Sequence, residues 1–189
     1  MKRILWSTLG LAAVCLAGCV VTSVYPYYTA KDVTFDPALL GIWSDPANTN
    51  ATKETWTFEK LGAQNYTLLI RDDNKTNAFD AHLFTLGDVR FLDLLPRERQ
   101  EYQTPSHLLL RVAQLQPQLE LHILNYGWLS KLVEEKPKAI RHIVVPKESG
   151  SAEDGLLTLT ADTAELQKFI RKHLNNTNAW VEPMVLKKQ

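Results

Sequence analysis

The chain has 189 residues, enough for one domain with a hydrophobic core, and its 21 basic residues balance its 21 acidic residues. It has no basic run interleaved with aromatic residues, which argues against nucleic acid as a partner and against polybasic adhesion to anionic lipid headgroups. Its two cysteines, Cys15 and Cys19, lie near the N terminus. We therefore expect no disulfide, thiolate metal site or cysteine nucleophile in the rest of the chain.

The N terminus has the pattern of a secretory signal peptide. Lys2 and Arg3 precede a mainly apolar run over residues 4–16, and small residues follow that run. The run is shorter than the roughly 20 residues that a membrane-spanning helix needs. The alternative interpretation is an N-terminal membrane helix, or an ordinary signal peptide, with an unmodified thiol at Cys19.

Residues 16–19, Leu-Ala-Gly-Cys, resemble the lipobox of bacterial lipoproteins at every position. The resemblance implies cleavage between Gly18 and Cys19, and acylation of Cys19 on its sulfur and on its new amino group. Two or more acyl chains hold a protein stably on a bilayer, whereas one chain gives only reversible attachment. Val20 stands where inner-membrane lipoproteins commonly carry Asp, so the resemblance favours the outer membrane if the host is Gram-negative.

This interpretation divides the chain into a signal peptide at residues 1–18, a lipidated tether at 19–36 and a single domain at 37–189. The signal peptide removes both of its basic residues, which leaves 21 − 2 = 19 basic against 21 acidic residues. The tether contains an aromatic stretch, Tyr25-Pro26-Tyr27-Tyr28. Two interpretations of it stay open: a spacer that lifts the domain off the membrane, or a segment at the level of the lipid headgroups.

From residue 39 the hydrophobic pattern has a period of two, which is typical of strands. The predicted strands are 39–44, 54–61, 65–71, 78–86, 89–95, 108–115 and 119–124. Two hairpins are predicted, one around Gly87-Asp88 and one around residues 116–118. Short strands at a spacing of about 8–12 residues indicate an antiparallel sandwich or barrel.

The pattern changes after residue 125. Residues 126–136 predict a helix that ends before Pro137, and strands are predicted at 140–145 and 156–160. A second helix begins at Asp162, with Glu165 as its capping-box partner. Residues 180–186 form either a closing strand or a coil packed on the barrel. The expected fold is therefore mainly β with two short helices.

The first strand carries the residues Gly41-Ile42-Trp43, and this Gly-x-Trp resembles the lipocalins and their calycin relatives. The resemblance implies that Gly41 permits a close bend and that Trp43 plugs one end of an eight-stranded up-and-down barrel with room for one small ligand. The predicted helix at 126–136 departs from the family because it interrupts the meander. The runs at 78–83 and 91–94 also resemble a group of small bacterial lipoproteins of unknown function.

The candidate ligand-binding residues are those that could line the interior of such a barrel: Trp56, Tyr66, His82, Asp93 and His122. For Trp56 and Tyr66 the alternative is ordinary core packing, and for the histidines it is an outer strand face. The carboxylate of Asp93 needs a partner if it is buried, and Arg71, Arg90 or Arg111 could provide one. No histidine spacing indicates a metal site, and no cofactor is expected.

These observations give three functional hypotheses. The first is a membrane-anchored, non-enzymatic lipoprotein that binds a small apolar ligand or lipid in the cell envelope. The second is an envelope protein-interaction or adaptor lipoprotein with a filled barrel, which binds its partner through a strand edge or a helix face. The third is a hydrolase in which Asp80 orients the imidazole of His82, although no Gly-x-Ser-x-Gly elbow stands near them.

Overall fold

The structure is a computed structural model, and it describes residues 20–46, 54–72, 75–98, 104–145 and 156–189. The predicted signal peptide and the lipidation residue Cys19 lie outside the described residues.

The fold is mainly β with two helices, as predicted. The strands are β1 Val21–Ser23, β2 Gly41–Ser44, β3 Thr55–Leu61, β4 Asn65–Asp72, β5 Lys75–Leu86, β6 Val89–Pro96, β7 His107–Gln114, β8 Gln118–Ile123, β9 His142–Val145, β10 Leu156–Leu159 and β11 Met184–Lys188. The helices are α1 Tyr126–Glu135 and α2 Thr163–His173, with short 3-10 helices at Pro37–Leu39 and Thr177–Ala179.

Eight of these strands form a closed antiparallel barrel, which confirms the predicted fold class and is compatible with a lipocalin-like fold. From β2 to β8, each strand pairs with the next one along the chain, and the β6–β7 pairing joins the two halves of this series. Strand β11 closes the barrel because it pairs with β8 on one side and β2 on the other. The predicted hairpin turn at Gly87-Asp88 joins β5 to β6, and Gly87 has the positive φ (65°) that such a tight turn favours.

A small side sheet extends from one end of the barrel wall. Strand β1 is antiparallel to β7, with Ser23 opposite His107, and parallel to β10, with Val21 opposite Leu157. Strand β9 pairs with β10, and no strand of the described residues pairs with its other side.

The period-two pattern of the strands separates two hydrophobic cores. One fills the barrel and includes Trp43, Trp56, Phe58, Tyr66, Leu68, Leu83, Leu92, Leu119 and Leu121. The other lies between the outer face of the barrel, the side sheet and the helices, and includes Tyr27, Phe84, Phe91, Leu109, Leu157, Leu159, Leu166, Phe169 and Trp180. Alternate residues of one strand therefore belong to different cores, as Leu83 and Phe84 show.

Residues 20–36, here called the N-terminal strap, belong to the folded body, which differs from the tether expected from the sequence. Residues 21–23 form β1, and Tyr27 is completely buried. Further along, the strap runs beside β5: the N–H of Thr34 donates to the carbonyl oxygen of Leu83 (2.8 Å) and the N–H of Thr85 to that of Asp32 (3.1 Å). The strap lacks a regular period because its contacts are made with strands far away in sequence.

Helix α2 holds the strap against the barrel. The side-chain amide of Gln167 donates to the carbonyl oxygen of Tyr27 (3.1 Å) and to the carboxylate of Asp32 (2.9 Å). The hydroxyl of Thr163 donates to the carbonyl oxygen of Pro26 (2.8 Å). Since Gln167 is itself buried, these bonds join the strap to the second core.

Gly41 and Trp43 lie in β2, the first strand of the barrel. Gly41 has a φ of 118°, which side chains other than glycine rarely adopt, so the backbone conformation at the start of β2 favours glycine. Trp43 is 1% exposed within the barrel core. Its indole N–H donates to the carbonyl oxygen of Leu39 (2.9 Å).

Candidate functional sites of the barrel and the strap

Of the five candidate ligand-binding residues, Trp56 and Tyr66 lie in the barrel core, and both are 0% exposed. The indole N–H of Trp56 donates to the carboxylate of Glu54 (2.8 Å). The hydroxyl of Tyr66 accepts from the N–H of Asp36 (2.7 Å) and donates to its carbonyl oxygen (3.0 Å). Burial raises the pKa of the Tyr66 hydroxyl. The polar atoms of both rings are therefore bound within the chain itself.

The interior of the barrel is packed with side chains. Its large residues Trp43, Phe58, Leu83 and Ile70 are at most 2% exposed. Phe58 and Tyr66 meet edge to face, with their ring centroids 6.4 Å apart. These side chains therefore contact one another rather than water, in the manner of a protein core.

His82 lies on the outer face of β5, on the same side as Phe84, whose ring belongs to the second core. Its ring stacks on Tyr28 of the strap, with ring centroids 4.5 Å apart. The Nδ1 atom is buried and has no hydrogen-bond partner among the described residues. Burial lowers the pKa of His82, and the nearby carboxylates of Asp93 and Asp80 only partly oppose this.

Asp93 lies directly opposite His82 in the β5–β6 register and is 0% exposed. One carboxylate oxygen lies 2.7 Å from Nδ1 of His107, and the other accepts the backbone N–H of Tyr27 (2.9 Å). Burial, followed by the charge of Asp93, raises the pKa of the Tyr27 hydroxyl. The carboxylate thus joins β6, β7 and the strap.

Two of the three arginines considered as partners of Asp93 have other contacts, and the third, Arg71, is exposed near the end of β4. Arg90 pairs with Asp36 of the strap (3.2 Å). Arg111 donates to the carbonyl oxygen of Leu174 (3.3 Å), and its guanidinium lies over the ring of Trp180. The sequence reasoning missed His107 as the partner, since that residue lies on a neighbouring strand 14 positions later.

Ser23 lies opposite His107 in the β1–β7 register, and His107 contacts Asp93. Serine, histidine and aspartate are the residue types of a hydrolytic triad. However, Ser23 and Asp93 are 0% exposed and His107 is 7% exposed, so the group is closed to solvent. The hydroxyl of Ser23 accepts the backbone N–H of Tyr25 (3.3 Å). The arrangement serves to attach the strap to the barrel.

The other polar candidates have hydrogen-bond partners outside this cluster. Nδ1 of His122 lies 2.8 Å from the carbonyl oxygen of Val181. Asp80, considered as an orienting group for His82, accepts from the guanidinium of Arg97 (2.7 Å). In the described part of the chain, no group of three His, Cys, Asp or Glu side chains could hold a metal ion.

The side sheet exposes apolar side chains, and the outer edge of β9 has no strand partner in the described part of the chain. Ile143 and Val144 of β9 are 55% and 42% exposed, and Leu156 of β10 is 43% exposed. An edge strand presents backbone N–H and carbonyl groups that another strand can pair with. In contrast, a closed barrel has no edge to offer.

Within the described residues, no helix has both the length and the apolar character needed to cross a membrane. No protein-family model matches the chain, and searches of curated proteins and of solved structures find no significant match.

Proposed function

We propose that this protein is a non-enzymatic, lipid-anchored protein of the cell envelope whose barrel is a rigid scaffold for binding another protein. The observation that carries the proposal is the packed interior, in which Trp56, Tyr66 and the residues around them are almost entirely unexposed. A scaffold of this kind binds through its outer surface.

The partner-binding surface that we propose is the edge of β9. The side of β9 that no described strand covers supplies backbone hydrogen-bonding groups, and Ile143 and Val144 supply apolar contacts beside them. An extended segment of a partner protein could add to β9 as a further strand, since backbone bonds give affinity and alternate side chains give specificity in this mode of recognition.

The test is site-specific photo-crosslinking in living cells, with the crosslinker placed at Ile143 or at Leu61. Leu61 is a matched control because it is 38% exposed and ends β3, a strand of the closed barrel. We expect one discrete adduct at position 143 that disappears when Val144→Lys is added, because a charge on a strand edge opposes pairing. No adduct at 143, or the same adduct at 61, would overturn the proposal.

A second candidate function is binding of a small apolar ligand or lipid inside the barrel, as the lipocalin resemblance implies. The closed eight-stranded barrel with an apolar interior supports it. A ligand there would have to displace side chains such as Trp56 or Tyr66. Lipid extraction and native mass spectrometry of the acyl-free mature chain test this hypothesis, and a chain that repeatedly purifies without a ligand argues against it.

The anchor and the location are part of the proposal. We propose that Cys19 carries the acyl chains and that the protein resides in the outer membrane of a Gram-negative host. Metabolic labelling with an alkyne fatty acid should mark the wild-type chain and leave Cys19→Ala unmarked and released from membranes.

The non-enzymatic role is tested with His82→Ala. A hydrolytic activity that is present in the wild-type chain and lost in this variant would contradict the proposal.

A further inference from the structure

The folded body begins immediately after the proposed lipidation residue. Val20, which follows Cys19, is 5% exposed and forms an antiparallel bridge with Asn125. Val21 is 3% exposed and pairs with Leu157 in the side sheet. Val20 is thus the single residue between Cys19 and β1, and it is paired with Asn125.

This geometry brings the folded body close to the anchor. Consecutive Cα atoms are about 3.8 Å apart, whereas a flexible tether made of residues 20–36 would span about 20–25 Å. The headgroup layer on each side of a bilayer is only about 6 Å thick. An acylated Cys19 that lies in this layer places the surface around Val20 against it.

One exposed apolar side chain lies beside this point, and a second lies one chain segment further away. In the parallel register of β1 and β10, Leu156 lies beside Val20, and it is 43% exposed. On the other side, Val20 forms a bridge with Asn125. Ile123 lies two residues before Asn125, and its carbonyl oxygen accepts the N–H of Val181 (3.0 Å). Val181 is 36% exposed.

We infer that Leu156 and Val181 form a membrane-contacting surface, and that the body sits directly on the lipid headgroups in one fixed orientation. The inference rests on the proposed acylation of Cys19. The occupant of this surface is the bilayer that holds the acyl chains. The link between Cys19 and the folded body is too short for another molecule to lie between the body and the bilayer. Apolar side chains favour such a position since they lose contact with water.

The experiment measures depth in the bilayer with a single fluorescent label on the lipidated full chain. The acylated chain has no other free thiol if Cys15 is removed with the signal peptide, so Leu156→Cys and Leu61→Cys can each be labelled alone. Leu61 is the matched control, with similar exposure (38%) at the last residue of β3, a barrel strand that pairs with β2 and β4. The protein is reconstituted into phosphatidylcholine vesicles with nitroxide-labelled headgroups.

We expect severalfold stronger quenching at position 156 than at position 61. A Gly/Ser insertion of about 12 residues between Cys19 and Val20 adds a reach of roughly 17–20 Å, so quenching at 156 should fall to the level at 61 while the protein stays on the vesicles. Equal quenching at both positions without the insertion would overturn the inference and leave the anchor intact. A chain that does not float with the vesicles would overturn the anchor as well.

Discussion

Replacement of Asp93 by Asn should destabilise the protein strongly. The carboxylate accepts from the strap through the N–H of Tyr27 and pairs with His107 on β7, and it is completely buried. Asparagine has one acceptor oxygen, and its amide turns a donor toward one of these two partners. An unsatisfied buried group costs about 1–3 kcal/mol, and more where the group is charged. We expect a loss of about 3 kcal/mol in the free energy of unfolding, because the substitution disturbs two buried contacts at once.

The assay is urea unfolding of the acyl-free mature chain, followed by tryptophan fluorescence. With a slope of roughly 2 kcal/mol per molar urea, the midpoint should fall by about 1.5 M. The matched control is Asp80→Asn, because Asp80 lies on β5 and pairs with Arg97 while both side chains are about one-third exposed. Such a surface pair contributes about 0–1 kcal/mol. If Asp93→Asn costs no more than the control, the buried network does not hold the strap.

Three further predictions concern stability. Gly41→Ala should lower the thermal midpoint more than Gly87→Ala, because the φ of Gly41 (118°) lies outside the left-handed region that other residues can enter, whereas the φ of Gly87 (65°) lies inside it; equal effects would contradict the requirement for glycine at position 41. Asp162→Ala should cost about 0.5–2 kcal/mol in chemical unfolding, because its carboxylate accepts the N–H of Glu165 (3.0 Å) at the start of α2; a smaller loss would mean that the cap is dispensable. The pKa of His82 is lowered in the folded state, so the unfolded chain binds the proton more readily. Stability should therefore fall as the pH drops below about 6.5, and His82→Gln should reduce the difference between unfolding curves at pH 7.5 and 5; an unchanged difference would refute this.

The sequence predicted most of the barrel because its signals are local. The β5–β6 turn at Gly87-Asp88 and the cap of α2 at Asp162 both occur where their residue types indicated. The strap was missed because β1 has only three residues and pairs with β7 and β10, which are distant in sequence. A three-residue strand is too short for a period to be recognised.

The candidate site was predicted less completely than the fold. Period two correctly groups Trp56 with Phe58 in the interior. It does not decide which face of β5 or β6 points inward when both faces are apolar, and Leu83 and Phe84 are both buried. For that reason the pattern could place His82 and Asp93 on the same face, but it could not show that this face is the outer one, beneath the strap. The pairing of Asp93 with His107 depends on the register of β7, which no local pattern specifies.

The position of β11 in the barrel has a consequence for the order of assembly. Strands β2 to β8 follow one another along the chain, but the strand that fills the gap between β8 and β2 comes after α1, β9, β10 and α2. Until Met184–Lys188 is in place, β2 and β8 are two open edges of a curved sheet with an apolar concave face. Such edges pair readily with other chains, so the incomplete barrel is the species most prone to aggregate. A factor that shields this intermediate would therefore act on β2 and β8, which the finished protein no longer exposes as edges.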